Sequence, residues 1–301
     1  MTAAPFKDEL WADDELPEQL PPEPIIERGV QPIWTKHKAQ VVQLYIRHFL
    51  MITKHGVYID GFAGRKNVDL EESWAAELVV NLTPRFLRDF FLCDRDSRQQ
   101  DRLRELIELQ PTGERNRRYH LGCGDFNEWV DEVLGSGIIK EKVATFCLID
   151  QFSTQCWWET VEKLARHKGA NARKIELFYF FPTGWIGRAL AGFTKDLDQP
   201  SRWWGDDSWR ELRGQSGQRA AVRMAERFRD ELGYRFVKPY PIHSREGAEG
   251  RVMFHMIHAS DHPEAQKLMR RAYKTVLQPA PSDEQVEMFV TGALGKQPRG
   301  G

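Results

Sequence analysis

Asp60, Asp94, Asp125 and Asp150 each stand at or just beyond the end of a short apolar run. In an open parallel sheet, ligands bind outside the carboxyl ends of the strands, so side chains at these four positions are placed to meet a ligand. An acid after the second strand can accept hydrogen bonds from ribose hydroxyls. An acidic or amide side chain after the third can meet an adenine amino group. A lone aspartate at a strand end also serves as a helix cap, and Asp125, in the turn Gly124-Asp125-Phe126, suits that role as well. Gly61 and Gly64 flank Phe62-Ala63 after the first run, where small residues let the backbone approach a bound cofactor.

Other chemistries have less support. The sequence has no GxGxxG, Walker, zincin or GxSxG motif. Asp94, Asp96 and Asp125 could gather around magnesium, as in a nuclease, since hard cations want clustered oxygens. His255 and His258 are three apart, which puts them on opposite faces of a strand, so a joint metal site with His243 would need a bulge. The four cysteines have no CxxC spacing and read as buried, reduced thiols, with no metal site expected.

These residues need a scaffold, and the apolar pattern supplies one. Apolar residues from Val41 to Leu50 recur at spacings of three and four, predicting a helix over Lys36 to Ile52. Strands are expected at Gly56–Asp60, Phe90–Asp94, Arg118–Leu121, Ala144–Asp150 and Ile175–Phe181. Helical patterns separate or follow them at Glu72–Asn81, Ser97–Leu109, Phe126–Leu134, Trp157–His167 and Trp185–Phe193. This alternation predicts an α/β fold with a mostly parallel sheet covered on both faces. Tyr234–His243 and Arg251–Ala259, with Gly247 and Gly250 between them, read as an antiparallel closing hairpin, which makes seven strands. Residues 196–231 interrupt the alternation, either as a cover for the ligand crevice or as a surface excursion ending in an arginine-rich helix over Gln218–Leu232.

The chain of 301 residues is 41% hydrophobic and 29% charged, with a formal net charge of -1, which excludes a mainly disordered or fibrous protein. Residues 1–30 form an acidic, proline-rich tail and 278–301 a polar one. Both are expected to lack an ordered core, with 31–277 as one domain. No run reaches the roughly 20 apolar residues of a membrane helix, so the expected location is cytoplasmic, with no membrane partner. Most of the ten tryptophans are expected in core or interface packing.

Several of these motifs together resemble the three-Cys-motif partner proteins, which are similar to Rossmann-like, S-adenosylmethionine (SAM)-dependent methyltransferases. They are Trp34-Thr35-Lys36, Tyr58-Ile59-Asp60-Gly61-Phe62-Ala63-Gly64, Cys93-Asp94-Arg95-Asp96, Gly124-Asp125-Phe126 and Leu148-Ile149-Asp150. The resemblance runs from about Pro32 to Val276. It implies a SAM site in which Asp60, Gly61, Phe62, Ala63 and Gly64 line the cofactor, Asp94 meets its ribose and Asp125-Phe126 its adenine. Asp150 would face the transferred methyl group and orient or deprotonate the nucleophile, while Phe152 would stack on a planar substrate. A partner protein carrying three cysteines, and a nucleic acid, are the partners implied.

Three positions depart from the family pattern. Arg65-Lys66 replaces a Pro-Gly ending, Glu72-Ser73-Trp74 replaces a Gly-Ser-Pro-like turn, and Asp150-Gln151-Phe152 replaces Asp-Pro-Phe or Asp-Pro-Tyr. Two functions follow. One is a SAM-dependent transferase acting on a nitrogen or oxygen of a nucleic acid base or small molecule. The other is a catalytically degenerate subunit that has lost SAM and binds a partner protein or nucleic acid.

Overall fold

The computed structural model describes residues 33–65, 73–111, 116–195, 197–245 and 250–277. The expectations for the two tails, for Lys66 and for Glu72 lie outside the described residues. Seven strands form one sheet: β1 (Gly56–Asp60), β2 (Leu87–Asp94), β3 (Arg118–Cys123), β4 (Thr145–Ile149), β5 (Glu176–Phe181), β6 (Phe236–His243) and β7 (Val252–Ser260). Their order is β3-β2-β1-β4-β5-β7-β6. The first five run parallel, and β7 pairs antiparallel with both β5 and β6. The closing pair thus sits at the edge, as the sequence pattern indicates.

The central strands are buried along their whole length, and for this reason they read as continuous apolar runs. Helices α1 (Ile33–Thr53), α2 (Ala75–Val80), α3 (Ser97–Glu108) and α9 (Ala265–Leu277) are joined in one apolar cluster that includes Tyr58, Phe146 and Phe178. Helices α4 (Phe126–Gly135), α5 (Trp158–Arg166), α6 (Ile186–Gly192), α7 (Asp198–Trp204) and α8 (Gly217–Asp230) are joined in a second with Ile59, Cys147 and Tyr179. Alternate strand residues enter opposite clusters, as the pleat requires. α1 crosses the sheet from end to end. Its Lys38 reaches Asp150 beyond β4 at 2.5 Å, and its Tyr45 hydroxyl donates to Glu176 at the start of β5, also at 2.5 Å.

Two expectations need correction. The segment after α6 is neither a surface excursion nor a mere cover, because Trp203, Trp204 and Trp209 are buried and α8 packs Ala221, Met224 and Phe228 into the second cluster. The Trp203 indole donates to the Tyr179 hydroxyl at 2.8 Å. Counting polar residues misled here, since a few large aromatic rings bury more area than many polar side chains expose. The cysteines are free as expected, but Cys123 is exposed while the other three are buried. It ends β3, a strand buried at only one of its six positions.

Trp203→Ala tests whether this segment belongs to the core. The expected cost is about 3–5 kcal/mol, read by denaturant unfolding. A loss below about 1 kcal/mol would return the segment to the surface.

Candidate functional site

The winding direction of the sheet reverses between β1 and β4, so a crevice opens beyond their carboxyl ends. Asp60 and Asp150 stand on its two sides. Asp60 is 1% exposed, accepting from the Tyr58 hydroxyl and from the Phe62 N–H, both at 3.0 Å. It therefore shapes the start of the glycine turn from within.

The rest of that turn is fastened to β2 and α3. Ala63 N–H donates to the Cys93 carbonyl (2.7 Å), Gly64 N–H to Asp94 Oδ2 (2.8 Å), and Arg65 N–H to Gln99 Oε1 (2.9 Å). Both glycines are required by close approach. A Cβ on Gly61 would lie 2.4 Å from the Phe126 ring, and one on Gly64 would lie 2.2 Å from Asp94 Oδ2. Trp74, one of the departures from the family pattern, is buried and donates its indole N–H to the Ala63 carbonyl at 2.6 Å. The Arg65 guanidinium lies over its ring.

The turns after β2 and β3 close the same corner. Asp94 Oδ1 accepts from Asp96 N–H at 2.9 Å, and the Asp94 carbonyl accepts from Gly124 N–H at 3.2 Å. Asp94 is half-buried, and each carboxylate oxygen has accepted one backbone N–H. A carboxylate offers roughly four lone-pair sites, so capacity remains for two ribose hydroxyls. The residues present thus fit the ribose of a nucleoside at this corner, where the Phe126 ring is buried beside Gly61. Asp125 is the cap of α4: its Oδ1 accepts from the Asn127 N–H (2.9 Å) and side-chain amide (2.7 Å). Asp96 likewise caps α3. The magnesium arrangement considered for Asp94, Asp96 and Asp125 has no counterpart, since among the described residues no group of three acids, histidines or cysteines could hold a metal.

Asp150 lies across the crevice in an ion pair with Lys38, whose ammonium is 4.1 Å from the Phe254 ring centroid and 4.9 Å from that of Phe180. Lys38 is 5% exposed and Asp150 13%. Gln151 is buried, and its Oε1 accepts from Cys156 N–H, which holds the loop after β4. Phe152 is 68% exposed and lies 5.8 Å from Trp185, ring centre to ring centre. The Trp185 indole N–H is shielded from solvent and has no partner among the described residues. Beneath it, Thr183 Oγ1 pairs with His255 Nδ1 at 2.7 Å, and burial pushes the His255 pKa down to about 3. His258 points elsewhere, 3.3 Å from Glu176, so the histidines do not converge.

The structure thus brings Gly61, Gly64, Asp94 and Phe126 into one corner, with Asp60 beneath it, and puts Asp150 and Phe152 on the far side of the crevice. Asp125 is turned to capping. Sequence reasoning missed Lys38, Asn127 and Trp185. Lys38 carried a readable signal, a charge three and seven residues before Val41 and Tyr45 on the apolar stripe. Asn127 did not, because its partners Gln155, Trp157 and Thr160 lie about 30 positions away.

The strand order, with β7 antiparallel between β5 and β6, is the Rossmann-like methyltransferase fold. No family model and no curated protein matches the chain. Among solved structures, spermidine synthase from Thermotoga maritima aligns over 88% of this chain and 75% of its own, at 13% identity and a TM-score of 0.43. DszA carbon methyltransferase aligns over 75% and 54%, at 16% identity and a TM-score of 0.44. No helix among the described residues is long and apolar enough to cross a membrane.

Removing one member of a buried ion pair takes the nearest opposite charge from the other. Lys38→Met is expected to cost about 3–5 kcal/mol in denaturant unfolding, and adding Asp150→Asn should recover part of that. A single-variant loss under about 1 kcal/mol would show that the pair is not held in the folded protein.

Proposed function

We propose that the chain is a SAM-dependent methyltransferase acting on a nitrogen or oxygen of a planar acceptor, a nucleic acid base or a small aromatic compound. One observation carries this reading: the half-buried Asp94 is fixed by the Gly64 and Asp96 N–H groups at the end of β2, while Asp150 stands beyond β4, on the other side of β1. SAM would supply an electrophilic methyl group there. Asp94 would accept from the ribose hydroxyls, Phe126 would wall the nucleoside, and the turn Asp60-Gly61-Phe62-Ala63-Gly64 would bring backbone close to it. Asp125, engaged as a cap, would contribute through the placement of Phe126 rather than by meeting adenine itself.

Asp150, its charge already matched by Lys38, is suited to accepting a hydrogen bond from the acceptor group and aligning its lone pair. Methyl transfer depends chiefly on such alignment. The exposed Phe152 and the half-buried Trp185 offer an aromatic pair against which a planar acceptor can lie. The resemblance to the three-Cys-motif partner proteins supports the same reading, and with it a partner protein carrying that motif.

Trp74 favours a second reading. Its indole braces the glycine turn from Ala63, and a turn held this way could serve a subunit that has given up the cofactor. Calorimetric titration with SAM separates the two. The enzyme reading expects one site per chain, weakened about tenfold by Asp94→Asn, equivalent to 1.4 kcal/mol. No binding to the parent, with binding gained in Lys66→Gly combined with Trp74→Pro, would establish the second reading. A folded chain that fails to bind SAM in every form would overturn the cofactor assignment.

A further inference from the structure

The amino ends of the strands, opposite the crevice, form a face that the proposed chemistry leaves unused. Two cavities open there, of about 530 and 420 Å3. Arg88, Arg118 and Lys140 line the first. Lys142, Lys168, Arg173 and Lys174 line the second. Both include His55 and Val143, so they adjoin as one groove beneath β3, β2, β1, β4 and β5. Four interstrand steps of about 4.8 Å give it a length of roughly 19 Å.

Its charge is far from that of the whole chain. Seven cationic side chains meet three carboxylates, Asp89, Glu141 and Glu176, on a protein of net charge -1. Two of the cations are engaged, Arg118 with Asp89 and Lys174 with Asp261 at 3.2 Å, and so are two of the carboxylates. Asp89 is held by Arg118 through two bonds of 2.6 and 2.9 Å, and Glu176 takes the Tyr45 hydroxyl inside the core. Arg88, Lys140, Lys142 and Arg173 are exposed, and among the described residues their side chains make no hydrogen bond or ion pair.

Lys168 lies deeper, 7% exposed. Its ammonium has three donors, of which one is given to the Val143 carbonyl at 2.6 Å. Burial lowers its pKa to about 8, with Glu176 acting in the opposite direction. Lys168 is thus a buried cation with donors to spare, set below a rim of exposed cations.

We propose that this groove binds the phosphate groups of a multiply charged anion, with Arg88, Lys140, Lys142 and Arg173 meeting them along the rim and Lys168 donating from the floor. Arginine forks and lysine point charges both suit phosphate oxygens, and the length of the groove suits several phosphates in a row. Such a row occurs in small polyphosphorylated compounds and in a nucleic acid backbone. The site is independent of the SAM reading, since it lies at the other end of the sheet.

The test titrates the full chain with inorganic tripolyphosphate and with a single-stranded oligothymidylate at low and moderate salt. At least one probe is expected to bind, more weakly as salt rises, and to lose about tenfold or more in affinity when Arg88, Lys140, Lys142 and Arg173 are all changed to glutamine. A control with Lys195, Arg219, Arg270 and Lys274 changed to glutamine removes the same charge elsewhere and should bind as the parent does. These substitutions are at exposed positions, and unchanged thermal unfolding confirms the fold. Tighter binding of the oligonucleotide identifies a nucleic acid backbone as the ligand, and tighter binding of tripolyphosphate a small phosphorylated compound. Failure of the parent to bind either probe, or equal losses in both variants, overturns the proposal.

Discussion

The reversal of winding between β1 and β4 is the constraint on which the rest depends. Every other pair of parallel neighbours is joined by a crossover helix that packs on one face of the sheet. These two strands send their chains to opposite faces and leave a gap. The acidic residues ending them, Asp60 and Asp150, would be costly to desolvate alone. Each is therefore tied to a side chain, Asp60 to the Tyr58 hydroxyl and Asp150 to the Lys38 ammonium. The two acidic strand ends are thus held in place before any ligand arrives.

The two sides of the crevice are made differently. On the β1–β3 side, backbone donors and close glycine contacts pack three turns together, and the missing side chains of Gly61 and Gly64 are replaced by the Phe126 ring and the Asp94 carboxylate. On the β4–β5 side, side chains do the work: Lys38 among aromatic rings, Gln151 holding its own loop, and Phe152 beside Trp185. A corner of backbone contacts suits a ligand of fixed shape, and the ring of Phe152, exposed beside Trp185, suits one that is exchanged. The proposed function assigns the cofactor to the first side and the acceptor to the second.

Much of the architecture was legible because burial on both faces makes parallel strands continuous apolar runs, with Gly56–Asp60 read to the residue. Helix α9 falls outside the predicted elements, although Ala265, Met269, Ala272 and Tyr273 carry the spacing. It follows the closing strand, where the strand–helix alternation had already ended. At the site, the four strand-end aspartates were visible because they follow apolar runs. Their partners were not, because Lys38 and Asp150 are 112 positions apart and no local pattern joins them. Asp125 shows the limit of residue type as a guide. The same carboxylate can serve a ligand or a helix end, and only the Asn127 contacts distinguish them.

The central claim is that the corner formed by Gly61, Gly64, Asp94 and Phe126 holds a nucleoside cofactor whose reactive end faces Asp150. A crystal structure with S-adenosylhomocysteine tests it most directly. The account predicts ribose hydroxyls within hydrogen-bond distance of Asp94 and the sulfur turned toward Asp150 and Phe152. The ligand bound elsewhere, or absent from crystals grown with it in excess while the Trp74 indole keeps its place on the Ala63 carbonyl, would contradict it.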